Sequence, residues 1–284
     1  MRIDLHTHSN ASDGTDTPAE LVSAAHAAGI DVLAITDHDT TGGWAPARAA
    51  LPAGMTLVTG TEFSCVYVGA DRPISMHLLG YLFDPDHEGL RAERIRLREA
   101  RRGRAEAIVE RMVADDVPIT WKQVSAISAG GAVGRPHIGR ALVESGVVPT
   151  VNAAFAELLS SRSKYYVGTP NTDIFTAIDL VRSAGGVSVF AHPRARRRGR
   201  VVDDEVIVAM AAAGLGGLEI DHPDQDPVDR AELRALAVDL ELLRTGSSDY
   251  HGTNKTTPLG AETTDPVQYE RLLGLAVAAP AVGR

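Results

Sequence analysis

The chain contains 284 residues, enough to bury a full core as one α/β domain, and its 37 acidic and 28 basic residues give a formal net charge of −9. That charge argues against a dedicated partner of duplex DNA, and the single cysteine, Cys65, excludes an internal disulfide and a zinc site built on several thiolates. No apolar run approaches the roughly 18 residues that cross a bilayer, and no signal-peptide pattern is present, so we expect a cytoplasmic protein with no membrane contact and no obligatory protein partner.

Short apolar runs alternate with longer segments of helical period in the first 60 residues. Strands are predicted at residues 3–8, 32–36 and 56–60, and helices at 18–28 and 40–51. Thr17, Pro18 and Glu20 have the order of an N-cap, a first helical residue and its capping partner, and Gly29 predicts the end of that helix. Such alternation is typical of parallel strands with helices packed outside them.

The pattern changes after residue 65. Two β-rich runs between residues 65 and 84 flank the turn sequence at 69–73 and predict a hairpin. The segment 87–168 is rich in charged helices, the longest at 88–114, and we interpret it as an inserted helical subdomain. The alternation then resumes, so residues 1–86 and 169–284 are predicted to form one barrel around the insert.

The predicted fold class is α/β. Strand candidates start near residues 3, 32, 56, 76, 187, 217 and 242. Seven strands are enough for a closed or nearly closed barrel, and such folds gather their functional residues at the carboxyl ends of the strands.

Residues able to bind a metal recur where these strands end. His6 and His8 lie two apart in an extended segment, so both can face one ion while Ile3 and Leu5 enter a core. The nine candidate ligands are His6, His8, Asp13, His38, Glu62, His77, His192, Asp249 and His251. Imidazoles and carboxylates without thiolate suit Mn, Fe or Zn, and bridging carboxylates such as Glu62 predict two or three divalent ions.

Five short motifs make the chain resemble the PHP (polymerase and histidinol phosphatase) family. They are His-Thr-His at 6–8, Thr-Asp-His at 36–38, Gly-Thr-Glu at 60–62, Ala-His-Pro at 191–193 and Ser-Asp-Tyr-His at 248–251. The chain looks closest to the branch that removes the 3′-phosphate of nucleoside 3′,5′-bisphosphates, some members of which also trim short RNA from its 5′ end.

This resemblance implies a distorted seven-stranded (β/α) barrel of PHP type with a helical insert and three metal ions. It implies that His6, His8, Glu62 and Asp249 hold the first ion, Glu62, His77 and His192 the second, and Asp13, His38 and His251 the third.

Cations outside the ligand set are candidates for binding a second phosphate. Arg101 and Arg104 lie three apart on one face of the long predicted helix, and Arg135 and His137 flank a proline. The family resemblance supports these four residues as a pocket for a 5′-phosphate. Lys164 and Arg194 are further candidates.

Three other residues are candidates for supporting roles. Arg194 is expected near the site, with the rest of the arginine run at 194–200 in an exposed loop. His222 follows a predicted strand and is a candidate to protonate the departing 3′-oxygen or to bind phosphate. Asp37 is a candidate to orient an imidazole.

These features predict a metal-dependent phosphoesterase. The family resemblance implies nucleoside 3′,5′-bisphosphates as its substrates, with short 5′-phosphorylated RNA as a second substrate. One alternative is a phosphatase of histidinol phosphate or another small phosphomonoester. Another is a non-catalytic metal-binding or nucleic-acid-binding module. A third is an amidohydrolase, but such enzymes often bridge metals with a carboxylated lysine, and Lys122, Lys164 and Lys255 follow no convincing strand.

Overall fold

The computed structural model describes residues 1–69, 72–278 and 282–283, and its strands form one mixed sheet. The strands are β1 (Ile3–Asp4), β2 (Val32–Ile35), β3 (Thr56–Tyr67), β4 (Ile74–Tyr81), β5 (Thr172–Asp173), β6 (Val187–Phe190), β7 (Gly217–Asp221), β8 (Leu243–Gly246) and β9 (Val282–Gly283). Seven of them follow the order β1-β2-β3-β4-β6-β7-β8, while β5 and β9 both pair with β3. All seven strand candidates in the sequence are confirmed.

The sheet curves into a nearly closed barrel. The pairs β1–β2, β2–β3, β6–β7 and β7–β8 are parallel, whereas β4 is antiparallel to both β3 and β6. Beyond the ends of β1 and β8, Thr7 and Tyr250 form a parallel bridge, and the His8 N–H donates to the Tyr250 carbonyl at 2.9 Å. The predicted α/β class and distorted seven-stranded barrel are therefore confirmed.

Strands β3 and β4 form the hairpin expected between residues 65 and 84. Ala70 and Asp71 of its predicted turn lie outside the described residues. Glu62 is opposite Leu79 and Ser64 is opposite His77, so all four side chains share one face of the hairpin. The sequence placed Glu62 after a strand, but β3 continues to Tyr67 and Glu62 lies inside it.

Ten α-helices are present in the described ranges. They are α1 (Pro18–Ala27), α2 (Trp44–Ala50), α3 (Glu88–Ala114), α4 (Trp121–Ile127), α5 (Arg135–Glu144), α6 (Val151–Glu157), α7 (Ile174–Ser183), α8 (Asp204–Ala212), α9 (Pro227–Asp239) and α10 (Pro266–Leu275). Helix α1 starts with the predicted capping box, in which Thr17 Oγ1 accepts from Glu20 N and Glu20 Oε2 accepts from Thr17 N. The helix ends at Ala27, and Gly29, just past its C-cap Ala28, has a left-handed φ of +72°.

Neighbouring residues of each strand enter different cores. Leu33 and Ile35 pack with the outer helices, while Val32 and Ala34 belong to a second cluster on the opposite face of the sheet. Tyr269 and Leu272 of α10 complete that second cluster. Because both faces of the strands are buried, they carry continuous apolar runs rather than alternating ones.

Helices α3 to α6 lie between β4 and β5 in the chain. Leu90 and Leu97 of α3 pack in the outer core of the barrel, whereas Ile108 and Met112 pack in a separate cluster with α4, α5 and α6. Helix α3 thus connects the barrel to a helical unit that has its own core. The boundaries of the inserted subdomain at residues 87 and 168 stay a prediction.

Within the described ranges, no helix combines the length and the apolar composition needed to cross a bilayer.

Tyr81→Phe tests a polar link inside the barrel. The buried Tyr81 hydroxyl donates to the carbonyl of Leu5 at 2.7 Å. Removing the hydroxyl takes this donor from a buried carbonyl and is expected to lower the free energy of unfolding by about 1–3 kcal/mol, measured by urea denaturation. Tyr166→Phe, on an exposed ring, is the control, and equal stability of the two variants would contradict the assignment.

Candidate metal centre

Glu62 lies at the centre of a buried group of imidazoles. Its oxygen Oε2 is 3.1 to 3.3 Å from ring nitrogens of His6, His8 and His38. Its other oxygen, Oε1, is 2.7 Å from His77 Nδ1 and 3.1 Å from His192 Nε2. One carboxylate therefore divides five rings into two sets, which is the disposition of a bridging ligand.

All nine candidate ligands converge around this carboxylate. Three groups each offer ligand atoms that lie within 4.8 Å of one another: His8, Asp13, His38 and His251; His6, His8 and Asp249; and His38, Glu62 and His77. His192 joins them through Glu62 Oε1. Because two histidines are shared between groups, the allocation of ligands to three separate ions stays a prediction.

The barrel brings these residues together from segments distant in sequence. His6 and His8 follow β1, His38 follows β2, and Asp249 and His251 follow β8. His192 and Asp249 have positive φ values of 33° and 51°, a conformation that L-residues seldom adopt. Backbone of this kind costs about 1–3 kcal/mol per residue and is concentrated at functional sites.

The two carboxylate oxygens of Asp249 have different partners. Its Oδ1 lies 3.4 to 3.5 Å from ring nitrogens of His6 and His8. Its Oδ2 accepts from Arg198 at 2.6 Å and from Lys255 at 2.5 Å. One oxygen therefore faces the ligand cluster while the other is fixed by cations.

Arg198 and Lys255 were missed by the sequence analysis. Residues 196–200 are exposed, as predicted, but the expectation that Arg194 alone of its run would be near the site is wrong, because Arg198 bonds both Asp224 and Asp249. In a run of consecutive arginines, no local signal distinguishes the one that the fold turns inward.

Glu219 is a third residue that the sequence analysis missed. Its Oε1 lies 2.9 Å from His6 Nδ1, and its Oε2 accepts from the His192 backbone N–H at 2.8 Å. A carboxylate on the far nitrogen of a ligating imidazole fixes the orientation of the ring. An acidic residue inside the apolar run of β7 was the available signal.

Asp37 acts on the loop rather than on an imidazole. It accepts from the Ser9 N–H at 2.8 Å and from the Ser12 hydroxyl at 2.7 Å. Ser12 in turn lies 3.4 Å from His8 Nδ1. Asp37 thereby holds the loop that carries Asp13.

The charges of the cluster keep Glu62 and His192 in metal-binding form. Burial raises the pKa of the Glu62 carboxyl, but the surrounding imidazoles, His77 foremost, outweigh burial and hold the pKa well below its usual range. Burial, assisted by Arg198, lowers the pKa of His192 to about 3. An ionised carboxylate and a neutral imidazole both present lone pairs, as metal binding requires.

The residues fit divalent cations. His77 Nδ1 is buried and close to Glu62 Oε1, yet the two atoms do not meet in hydrogen-bond geometry, which suits ligands that share an ion. Burial lowers the pKa of His8, but the hydrogen bonds to Asp249 and Glu62 outweigh burial and raise the pKa to about 9. The carboxylates thus favour positive charge at the centre, and the nitrogen and oxygen donors suit Mn, Fe or Zn.

Three of the predicted substrate-binding arginines lie close together beside this cluster. Arg101 donates to Asp39 Oδ2 at 2.5 Å and to Ser64 Oγ at 2.6 Å. Burial, then the charges of Arg135 and Arg101, lower the pKa of Arg104 to about 10. Burial and Arg101 also lower the pKa of Arg135.

Arg104 and Arg135 have no carboxylate partner among the described residues. Arg104 donates to the Val167 carbonyl at 2.9 Å and Arg135 to the Leu159 carbonyl at 3.1 Å. Both guanidinium groups also lie over aromatic rings. Half-buried cations without a counter-charge form a site suited to an anion.

His137 lies near the candidate ligand Asp13, and its partner Gly134 adjoins Arg101. The His137 Nδ1 accepts from the Gly134 N–H at 3.0 Å. Burial lowers the pKa of His137, with the charge of Asp13 opposing the shift.

The structure does not bring Lys164 and Arg194 to the cluster. Lys164 is exposed and pairs with Asp115, while Arg194 pairs with Asp204 and the Val202 carbonyl. In the described part of the chain, neither side chain contacts a candidate metal ligand. Their predicted role in substrate binding gains no support from these contacts.

His222 is buried beside Asp249. Its Nδ1 accepts from the Asp224 N–H at 3.0 Å, so a neutral ring carries its proton on Nε2, which lies 3.3 Å from Asp249 Oδ2. Both nitrogens are therefore engaged within the protein, and the role of His222 as a general acid stays a prediction.

Mn²⁺ added to metal-free protein is expected to raise the melting temperature, because an ion held by the assembled cluster binds only the folded chain. The expected stabilisation is about 2.7 kcal/mol at a metal concentration one hundred times the Kd. Scanning fluorimetry measures the shift. His8→Ala removes a nitrogen shared by two ligand groups and is expected to lose most of it.

His26→Ala is the matched control, since His26 is exposed on α1. Equal shifts in the two variants would place the ion elsewhere.

Comparisons with known proteins identify the chain's relatives. Residues 4–108 match the family described as the PHP domain. The chain is 35% identical to a 5′-3′ exoribonuclease of Haemophilus influenzae, over 88% of this chain and 90% of that protein. It is 32% identical to a 3′,5′-nucleoside bisphosphate phosphatase of Chromobacterium violaceum, over 88% of this chain and 87% of that protein.

A solved structure extends the likeness to the whole fold. A candidate metal-dependent phosphoesterase from Bifidobacterium adolescentis superposes with a TM-score of 0.89 at 40% identity, covering 97% of this chain and 96% of that one. With the buried imidazole and carboxylate cluster described above, these likenesses show that the chain belongs to the PHP domain family and is a metal-dependent phosphoesterase.

Proposed function

We propose that this protein hydrolyses the 3′-phosphate of nucleoside 3′,5′-bisphosphates and removes the first nucleotide from short 5′-phosphorylated RNA. The observation that carries the proposal is the pair of half-buried arginines without carboxylate partners, Arg104 and Arg135. They lie near Arg101, which bonds Asp39 beside the candidate ligand His38. A phosphomonoester with a single phosphate has no group for this second cationic site.

Both proposed reactions break the same kind of bond. In a bisphosphate, water attacks the 3′-phosphorus and the 3′-oxygen leaves, giving inorganic phosphate and a nucleoside 5′-phosphate. In RNA, the same attack releases the first nucleotide as its 5′-phosphate, and the shortened chain keeps the scissile phosphate at its new 5′ end. The relatives named as an exoribonuclease and as a bisphosphate phosphatase support one site for both.

The candidate ligands would hold Mn, Fe or Zn ions around Glu62. Divalent ions at such a centre activate water as a nucleophile and neutralise charge on phosphoryl oxygens. The chain itself orients this centre, since Glu219 fixes the ring of His6 and the cations Arg198 and Lys255 fix Asp249.

The arginine pocket supplies the second recognition element. Arg104 and Arg135 would bind the 5′-phosphate, and Arg101, tied to Asp39 beside His38, would connect that pocket to the ligand cluster. A substrate held at both ends places its 3′-phosphorus reproducibly, which is a large part of the catalytic gain available to such a site.

Three alternatives fit the side chains less well. Histidinol phosphate would leave the arginine pair without an anion. A non-catalytic module would not need carboxylates such as Glu219 to orient individual ligands. An amidohydrolase with a carboxylated lysine bridge is disfavoured, because Glu62 takes the bridging position and Lys255 donates to Asp249.

His8→Ala and Asp249→Ala are expected to lower phosphate release from adenosine 3′,5′-bisphosphate by at least about a thousandfold, equal to about 4 kcal/mol. Each change removes a ligand rather than core volume, so circular dichroism is expected to report a folded protein. Wild-type turnover in either variant would refute the metal-centre assignment.

Arg135→Ala is expected to lower kcat/KM for adenosine 3′,5′-bisphosphate by about 10- to 100-fold, the value of a charge-assisted hydrogen bond. Hydrolysis of an aryl phosphate, which has no second phosphate, is the internal reference and is expected to fall much less. Equal losses on both substrates would place Arg135 outside the 5′-phosphate pocket.

A further inference from the structure

A second cationic groove lies along helix α3 on the N-terminal side of Arg101. It extends from Arg91 to Arg98, which is one helical turn before Arg101. The groove has a volume of about 170 Å³, and the loop 39–42 lines it opposite Arg91, Arg94, Ile95 and Arg98 of α3. Arg91 and Arg98 are exposed, whereas Arg94 is buried.

The three arginines of this groove have no carboxylate partner in the described part of the chain. Arg94 donates to Thr41 Oγ1 at 2.8 Å and to the Pro85 carbonyl, and its buried Nε has no acceptor. Burial lowers the pKa of Arg94, and the charges of Arg98 and Arg91 add to that effect while Asp86 opposes it.

Two other arginines of the same helix are neutralised. Arg96 pairs with Glu93 and Arg102 pairs with Glu106. Asp39, the acidic residue of the groove, accepts from Arg101 and Ser64. The groove therefore keeps a net positive charge in a protein whose overall charge is −9.

The groove adjoins the proposed active site. Its loop wall begins immediately after His38, and Arg101 bonds Asp39 at the point where groove and site meet. From Arg91 to Arg104 the helix rises about 20 Å, which is longer than one nucleotide. Ile95, half exposed between Arg91 and Arg98, offers an apolar contact in the same groove.

We propose that this groove binds the backbone of single-stranded RNA downstream of the scissile linkage, with Arg91 and Arg98 contacting a phosphate and Ile95 packing against a sugar or base. The inference rests on the proposed function, in which the first nucleotide is held through its 5′-phosphate. The groove would then make the affinity of a substrate depend on its length, which a mononucleotide site alone does not do.

Fluorescence anisotropy of the metal-loaded enzyme tests this directly. The probes are 3′-labelled, 5′-phosphorylated oligoribonucleotides of increasing length with hydrolysis-resistant phosphorothioate linkages. Wild-type affinity is expected to rise with length. Arg98→Ala and Arg91→Ala are each expected to weaken the longest probe by about fivefold. Each is also expected to reduce the slope of log K against log salt by about 0.7.

Arg102→Ala is the matched control, because Arg102 is exposed on the same helix, pairs with Glu106 and lies outside the groove. It is expected to keep the wild-type dependence on length. An affinity independent of length in the wild type, or equal losses in Arg98→Ala and Arg102→Ala, would overturn the groove assignment. Competition by free inorganic phosphate that is equally strong against short and long probes would also overturn it.

Failure of the groove and failure of the proposed function give different results. If the enzyme releases phosphate from adenosine 3′,5′-bisphosphate but its RNA affinity does not depend on length, the proposed function is supported and the groove assignment is refuted. If binding depends on length and Arg98→Ala weakens it, but no bisphosphate releases phosphate, the groove assignment is supported and the proposed function is refuted.

Discussion

The attraction between one buried carboxylate and five imidazoles organises this protein. Glu62 is nearly inaccessible to solvent, and in a low-dielectric interior its charge is costly unless positive charges or hydrogen-bond donors surround it. Both of its oxygens face ring nitrogens delivered by strands far apart in the chain. The antiparallel β3–β4 hairpin presents Glu62 and His77 from one face, so the reversed strand β4 brings one further imidazole to the carboxylate.

Much of the fold was predictable because both cores are encoded locally. Continuous apolar runs marked the seven barrel strands, and the Thr17 capping box marked the start of α1 to the residue. The candidate ligands were also accessible, since histidines and acids at strand ends are unusual there. The length of β3 was not predictable, because Gly60 and the polar residues that follow it resemble a turn until their pairing with β4 is known.

The residues that orient the ligands could not all be predicted from the sequence. Arg198 sits in a run of identical residues, and Lys255 lies in a polar segment, so the contact of each with Asp249 depends on tertiary packing alone. Glu219 differs, because a carboxylate in a buried strand must have partners. These residues orient the imidazole or carboxylate that would bind the metal, and they contact it only in the folded chain.

Helix α3 is anchored at both ends in different hydrophobic cores. Leu97 packs with the barrel and Met112 with the helical unit, and the arginines that face the site lie on the turns between them. The length of α3 therefore sets the distance between the barrel core and the core of the helical unit, at about 1.5 Å per residue. Because the candidate ligands belong to the barrel and the second cluster has its own core, we expect substitutions in that cluster to change which substrates fit more than they change the ligands.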